Sequence, residues 1–312
     1  FYETIKFTGR TNSDLFDMDK KTLTELSCGK DAKSILHRII LTLTIVAACN
    51  LILFSHSMRA TTMKLTVNET TSAAIGELRI TVVYDNNPYK DGLTASWGFA
   101  CVIKGADKTI LFDTGGSSAV LLSNMQQLGI DPEKIDVVVL SHFHGDHVGG
   151  LNGLLQENVN VTVYLPATFP PEFKDAMKRA GINTVEVTDP DRICKGVYST
   201  GVLGSLIKEQ ALMISTGMGL IVITGCAHPG IVHVLQAAKE IIEDKILLVM
   251  GGFHLGAMGN TQLEEIIANF RELGVEKVGP CHCTGDLARR MFKEEYGNDF
   301  LDVGVGRLVE FD

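Results

Sequence analysis

Three histidines and an aspartate fall within six residues at His142-Phe143-His144-Gly145-Asp146-His147. The 312-residue chain has nine histidines, so a third of them share one hexapeptide, a density unlike that of an ordinary polar loop. Imidazole and carboxylate together suit zinc, and also manganese or iron. His142 and His144, two apart, project to the same side of an extended backbone, and Gly145 lets the chain turn before Asp146 and His147. Four donors are present before any distant residue is counted.

A rigid element must deliver these donors. The apolar run Ile135–Leu140 directly before them reads as a buried strand. The same grammar of apolar strand, small-residue turn and histidine recurs three times. It appears at Ile221–Thr224 before Gly225-Cys226-Ala227-His228, at Leu247–Met250 before Gly251-Gly252-Phe253-His254, and at Val278 before Gly279-Pro280-Cys281-His282. Four histidine-bearing loops at equivalent positions are how a sheet assembles a site from distant sequence. Around them the pattern predicts strands at Leu78–Tyr84, Trp97–Lys104, Thr109–Asp113, Val161–Leu165, Thr184–Val187, Ala211–Thr216, Val275–Val278 and Arg307–Phe311. Helices are predicted at Ser117–Leu128, Pro171–Ala180, Ile231–Ile242, Gln262–Leu273 and Asp286–Glu295. The class is α/β, with sheets covered by helices. Asn86–Thr94 and Thr188–Gly204 carry no readable motif and read as specificity loops. Gly115-Gly116 lacks the lysine of a phosphate-binding loop.

The net charge is −9, and because residues 1–60 carry eight Lys/Arg against six Asp/Glu, the remainder is near −11. Nucleic acid is therefore not an expected partner, and a small-molecule substrate is. The seven scattered cysteines give no disulfide framework. Four segments are expected: a polar extension at 1–34, a signal-like or membrane-anchor segment at 35–57, a linker at 58–77 and a catalytic domain at 78–312. The second contains sixteen uncharged residues, Ile39–Phe54, after Lys30, Lys33 and Arg38, which predicts a membrane tether or export. Val46-Ala47-Ala48-Cys49 resembles a lipoprotein cleavage site. The alternative is a cytoplasmic protein starting at Met58 or Met63.

His142-Phe143-His144-Gly145-Asp146-His147 resembles the HxHxDH signature of the metallo-β-lactamase superfamily, and Phe112-Asp113-Thr114-Gly115 resembles its preceding strand end. The resemblance runs from Leu78 to the C-terminus and implies a four-layer αββα sandwich. Thr224–Gly230, Gly251–Leu255 and Gly279–Gly285 look like a branch that contains the archaeal 7,8-dihydropterin-6-methyl-4-(β-D-ribofuranosyl)aminobenzene-5′-phosphate synthase. The resemblance implies one or two divalent ions, zinc first and magnesium, manganese or iron otherwise. His142 and His144, completed by His228, would hold one ion, and Asp146, His147 and His282 a second. Cys226 stands where the superfamily has a bridging Asp. It is either a soft ligand or a small buried residue, and the second reading is preferred. Asp146 and His254 are the expected catalytic residues, His254 contacting substrate or transferring a proton. His37, His56 and His233 receive no role, and Cys281 and Cys283 are read as packing or redox-sensitive neighbours. The function implied is hydrolysis of an ester, amide or phosphoester through a metal-bound hydroxide. The alternatives are a transferase joining a dihydropterin diphosphate to a ribofuranosylaminobenzene phosphate, and a non-catalytic metal-binding module.

Overall fold

The computed structural model of the chain describes residues 77–311. The expected extension, apolar leader and linker lie outside them, apart from Glu77 at the linker's end. Among the described residues no helix is long and apolar enough to cross a membrane.

The first sheet has seven strands: β1 (Leu78–Asp85), β2 (Phe99–Lys104), β3 (Ile110–Phe112), β4 (Val137–Val139), β5 (Thr162–Pro166), β6 (Asn183–Val187) and β13 (Leu308–Phe311), ordered β13-β1-β2-β3-β4-β5-β6. The second has six: β7 (Asp191–Cys194), β8 (Val197–Ser199), β9 (Leu212–Thr216), β10 (Gly219–Thr224), β11 (Ile246–Gly252) and β12 (Lys277–Cys281), ordered β12-β11-β10-β9-β8-β7. The histidine-delivering strands β4, β10, β11 and β12 all lie in parallel pairs, with β4 between β3 and β5 and β10-β11-β12 adjacent. Parallel strands discharge their loops at one edge, and this brings distant histidines together.

Both faces of each sheet are covered, and side-chain alternation explains why. Ile221 and Ile223 of β10 pack between the sheets with Leu248 and Met250 of β11 and with Val137 and Val139 of β4. Leu220 and Val222, one residue out of phase, pack instead against α5 (Ile231–Ile241), α6 (Asn260–Glu272) and α7 (Asp286–Tyr296). On the other side Val138 and Val163 meet α1 (Ser118–Gln127) and α3 (Leu151–Glu157), while α4 (Pro171–Arg179) adds Phe173 and Met177 at the margin. The layers are helix, sheet, sheet, helix, the expected αββα sandwich.

Two boundaries differ from expectation for local reasons. Ile135 closes a short 3-10 turn at Pro132–Lys134, so β4 begins only at Val137. Val275 is held by the carbonyl of Phe270 at the end of α6, so the last central strand starts at Lys277 and runs through Cys281. The stretch Thr188–Gly204, read as loop, contains the β7–β8 hairpin.

Candidate metal centre

β4 ends three residues before His142, and α2 (Gly145–Val148) starts just after His144, so Asp146 and His147 occupy the first turn of a helix. His142 Nε2 faces His144 Nδ1 at 3.0 Å. His142 and His147 are buried, Asp146 is half-buried with its side chain 24% exposed, and the rings of His142, His144 and His228 pack edge to face.

Acceptors pin four of the imidazoles by Nδ1, all of them buried except the half-buried Asn86. His147 Nδ1 donates to Asp113 Oδ2 at 2.7 Å, and His228 Nδ1 donates to Glu209 Oε2 at 2.9 Å. His282 Nδ1 donates to Asn86 Oδ1 at 2.9 Å. Ser141 Oγ spends its proton on Asp113 Oδ2, so it accepts from His142 Nδ1 at 2.9 Å. This fixes the tautomers and turns the Nε2 atoms inward, the arrangement that holds metal-binding imidazoles in place.

Two donor groups follow. His142, His228 and Cys226 offer ligand atoms within 4.8 Å of one another, and so do His147, His282 and Cys226. Asp146 Oδ2 belongs with the second, 3.3 Å from His282 Nε2 and 3.7 Å from His147 Nε2. Cys226 Sγ lies 3.2 Å from His147 Nε2. The thiol therefore stands in both groups, and it is also buried, as the small-residue reading expects. Among the described residues, His282 Nε2 is buried without a hydrogen-bond partner. Converging nitrogens and an orphaned one, ringed by a carboxylate and a thiol, fit a divalent cation.

Electrostatics point the same way. Burial drives His142 down to about 2, keeping the ring neutral. Burial would also lower His147, but the charge and hydrogen bond of Asp113 outweigh it and raise the imidazole, increasing its basicity as a ligand. Burial pushes the Asp146 carboxyl up, yet the close imidazoles of His282 and His147, 3.3 and 3.7 Å away, hold it well below the usual range. Glu209 is likewise opposed by burial, but His228 and His142 bring it to about 2.

His254 is exposed, and its ring lies 4.4 Å from that of His228. It joins Cys226 and Cys283 in a third group of mutually close ligand atoms, and a hydrogen bond with Cys283 raises its pKa. Cys283, facing Cys226, is lowered to about 5 by their hydrogen bond. Cys281 instead points to buried Asp85, so the two cysteines flanking His282 serve different neighbours. His233 is exposed on α5, away from any donor group.

The described non-glycine residues with left-handed backbone are Asp113, Ala227, His254 and His282, and all lie at this centre. Each costs about 1–3 kcal/mol, strain that persists where surrounding structure enforces it. Glu209 is the functional residue that spacing did not reveal. It is buried, and besides His228 Nδ1 it accepts the backbone N–H groups of Cys226, Ala227 and His228 at 2.8–2.9 Å. Asp113 was visible only as part of a strand-end motif.

A model for the family described as Metallo-beta-lactamase superfamily matches residues 98–236. The 7,8-dihydropterin-6-methyl-4-(beta-D-ribofuranosyl)-aminobenzene-5'-phosphate synthase of Methanocaldococcus jannaschii is 31% identical over 280 residues, covering 74% of this chain and 95% of that protein. The crystal structure of Tm1679, described as a metal-dependent hydrolase of the beta-lactamase superfamily, is similar with a TM-score of 0.63 at 31% identity, covering 75% of this chain and 99% of that one. The metallo-beta-lactamase fold protein YhfI from Bacillus subtilis shares the fold at a TM-score of 0.57 and 16% identity, over 75% of this chain and 99% of its own.

Proposed function

The chain belongs to the metallo-beta-lactamase superfamily, and from that premise we propose that it is a divalent-metal-dependent hydrolase of a small-molecule ester, amide or phosphoester. The observation that carries this reading is the set of four imidazoles pinned at Nδ1, whose Nε2 atoms converge beside Asp146 and Cys226. His142, His144 and His228 would hold one ion, and Asp146, His147 and His282 a second, with Cys226 between them. The imidazole and thiol donors favour zinc over magnesium. A bound divalent ion supplies Lewis-acid polarisation and neutralises developing negative charge.

Around it, Asp146 keeps a carboxylate oxygen with which to orient attacking water. Exposed His254, beside His228, stands where it can give a proton to a leaving group. Glu209 and Asp113 hold the imidazoles still. Solvent reaches Asp146 and His254, which suits water as a reactant.

A second reading is a transferase acting on a dihydropterin, supported by the 31% identical synthase. Its chemistry would require water to be kept out once substrate binds. Metal analysis of the purified protein, followed by lactone and phosphodiester panels, tests the first reading. Turnover that falls at least about a hundredfold in His144→Ala supports it. Pyrophosphate release only with a dihydropterin diphosphate and a ribofuranosylaminobenzene phosphate acceptor would replace it with the second. Protein that binds no divalent ion would refute both.

A further inference from the structure

Trp97 is the chain's single tryptophan, and its side chain is 59% exposed. Its ring centroid lies 4.9 Å from that of His282, tilted by 55°, and the His282 side chain is fully buried. An indole this open is not part of the core. Phe143, the exposed aromatic inside the histidine hexapeptide, already packs on Phe169 and Phe173 at 5.2 and 5.4 Å. Among the described residues Trp97 has no such aromatic partner beyond His282 itself.

The backbone fixes the indole in place. Gly98 has φ +138°, and a Cβ there would come within 2.4 Å of the Asp146 carbonyl oxygen. Gly116 also packs against this segment, its Cβ position 3.1 Å from the Trp97 carbonyl oxygen. The strand entering β2 thus runs directly against the donor loop, and a side chain at position 98 would push it away. Upstream, Ser96 N–H is held by the Asp85 carbonyl and Thr94 N–H by Asn124 Oδ1. The same Asp85–Asn86 turn that holds Ser96, the residue before Trp97, also orients His282. A large flat ring is therefore anchored at the edge of the Asp146–His147–His282 group with more than half its surface free.

We infer that Trp97 is a stacking platform for a planar heteroaromatic group of the substrate, laid beside the second metal position. The inference rests on the metal-site reading and adds the substrate's chemical class to it. Offset stacking on an indole is sequence-independent and needs only a π-face, and its loss typically weakens binding by about tenfold or more.

Trp97 fluorescence provides the test without any turnover. Zinc is titrated into the metal-free full chain, followed by 6-hydroxymethylpterin as the planar probe and N-hexanoyl homoserine lactone as a non-aromatic one. The zinc step changes Trp97 emission through His282. The pterin then quenches it saturably, with sensitised pterin emission, while the lactone does not. Equilibrium dialysis compares variants of equal zinc content: Trp97→Leu binds the pterin about tenfold more weakly, and Trp97→Phe restores binding to within about threefold. Zinc binding without saturable quenching, or Trp97→Leu binding as tightly as the parent, overturns the stacking role alone. Failure to bind zinc instead overturns the donor-site reading beneath it.

Discussion

Glu209 shows how much a single residue can carry here. Its two oxygens accept three consecutive backbone N–H groups and the Nδ1–H of His228, so the turn carrying Cys226 and His228 is built on one buried carboxylate. Glu209→Gln aims amide hydrogens at donors that need an acceptor. We expect a stability loss of about 3 kcal/mol in urea unfolding. Affinity for the first ion should fall about 10–100-fold in chelator competition, because the fixed orientation of His228 is lost. Tyr296 gives a prediction far from the site. Its buried hydroxyl has no hydrogen-bond partner among the described residues, and burial raises its pKa to about 12 from the usual phenol value near 10. The folded state therefore favours the neutral phenol. Its stabilising contribution is complete below about pH 10, where the unfolded residue is still protonated, and is lost as pH climbs towards 12. Tyr296→Phe should remove that alkaline loss, about 1 kcal/mol after solvent screening, while the Arg271 guanidinium keeps its seat 3.8 Å above the ring. Unfolding curves at pH 9 and pH 11 check it. An unchanged pH slope in the variant would show that Tyr296 does not carry it.

At the scale of elements, the strand-to-loop transitions do the positioning, and one of them depends on a glycine. Gly251 pairs with Thr224 across β10 and β11 at φ +116°, and a Cβ there would lie 2.0 Å from the Thr224 carbonyl oxygen. Gly251→Ala should cost about 3 kcal/mol or more in chemical denaturation, because both strands must part and the His228 and His254 loops move with them. A loss below 1 kcal/mol would mean the pair yields without strain. These transitions are also where the sequence was most readable. A β-branched run ended by small residues and a histidine marks a buried parallel strand delivering a ligand: β4 lies within its expected run, and β10 and β11 contain theirs. Legibility failed where the signal was not local. Asp191–Cys194 alternates poorly because β7 is an edge strand with exposed Asp191 and Arg192, so the hairpin read as loop. Glu209 sits in a segment without periodicity, and only the folded turn shows three N–H groups aimed at it. Cys226 is buried as its small neighbours along the chain suggest, but those neighbours gave no sign of His147, His228 and Cys283 beside it in space.

At the scale of the whole molecule, the donor groups join two sheets. His142, His144, Asp146 and His147 follow β4 of the first sheet, whereas His228 and His282 follow β10 and β12 of the second. Elsewhere the sheets meet through an apolar layer of Ile, Val, Leu and Met, which is strong but non-directional. Ions held from both sides would act as cross-links present only in the folded state. An ion at a hundred times its dissociation constant adds about 2.7 kcal/mol to unfolding, and for a domain of this size each kcal/mol moves Tm by about 2–4 °C. Removing one ion with a chelator should therefore lower Tm by about 5–10 °C, and restoring zinc should recover it. His282→Ala separates joining from mere occupancy. It takes from the second group its one imidazole contributed by the second sheet, while the first group keeps His142, His144 and His228. The variant should lose part of the zinc-dependent shift and retain the rest. If chelation leaves Tm unchanged within a degree although metal analysis shows the ions gone, the loops close on one another through protein contacts alone, and the metal serves chemistry without serving the fold.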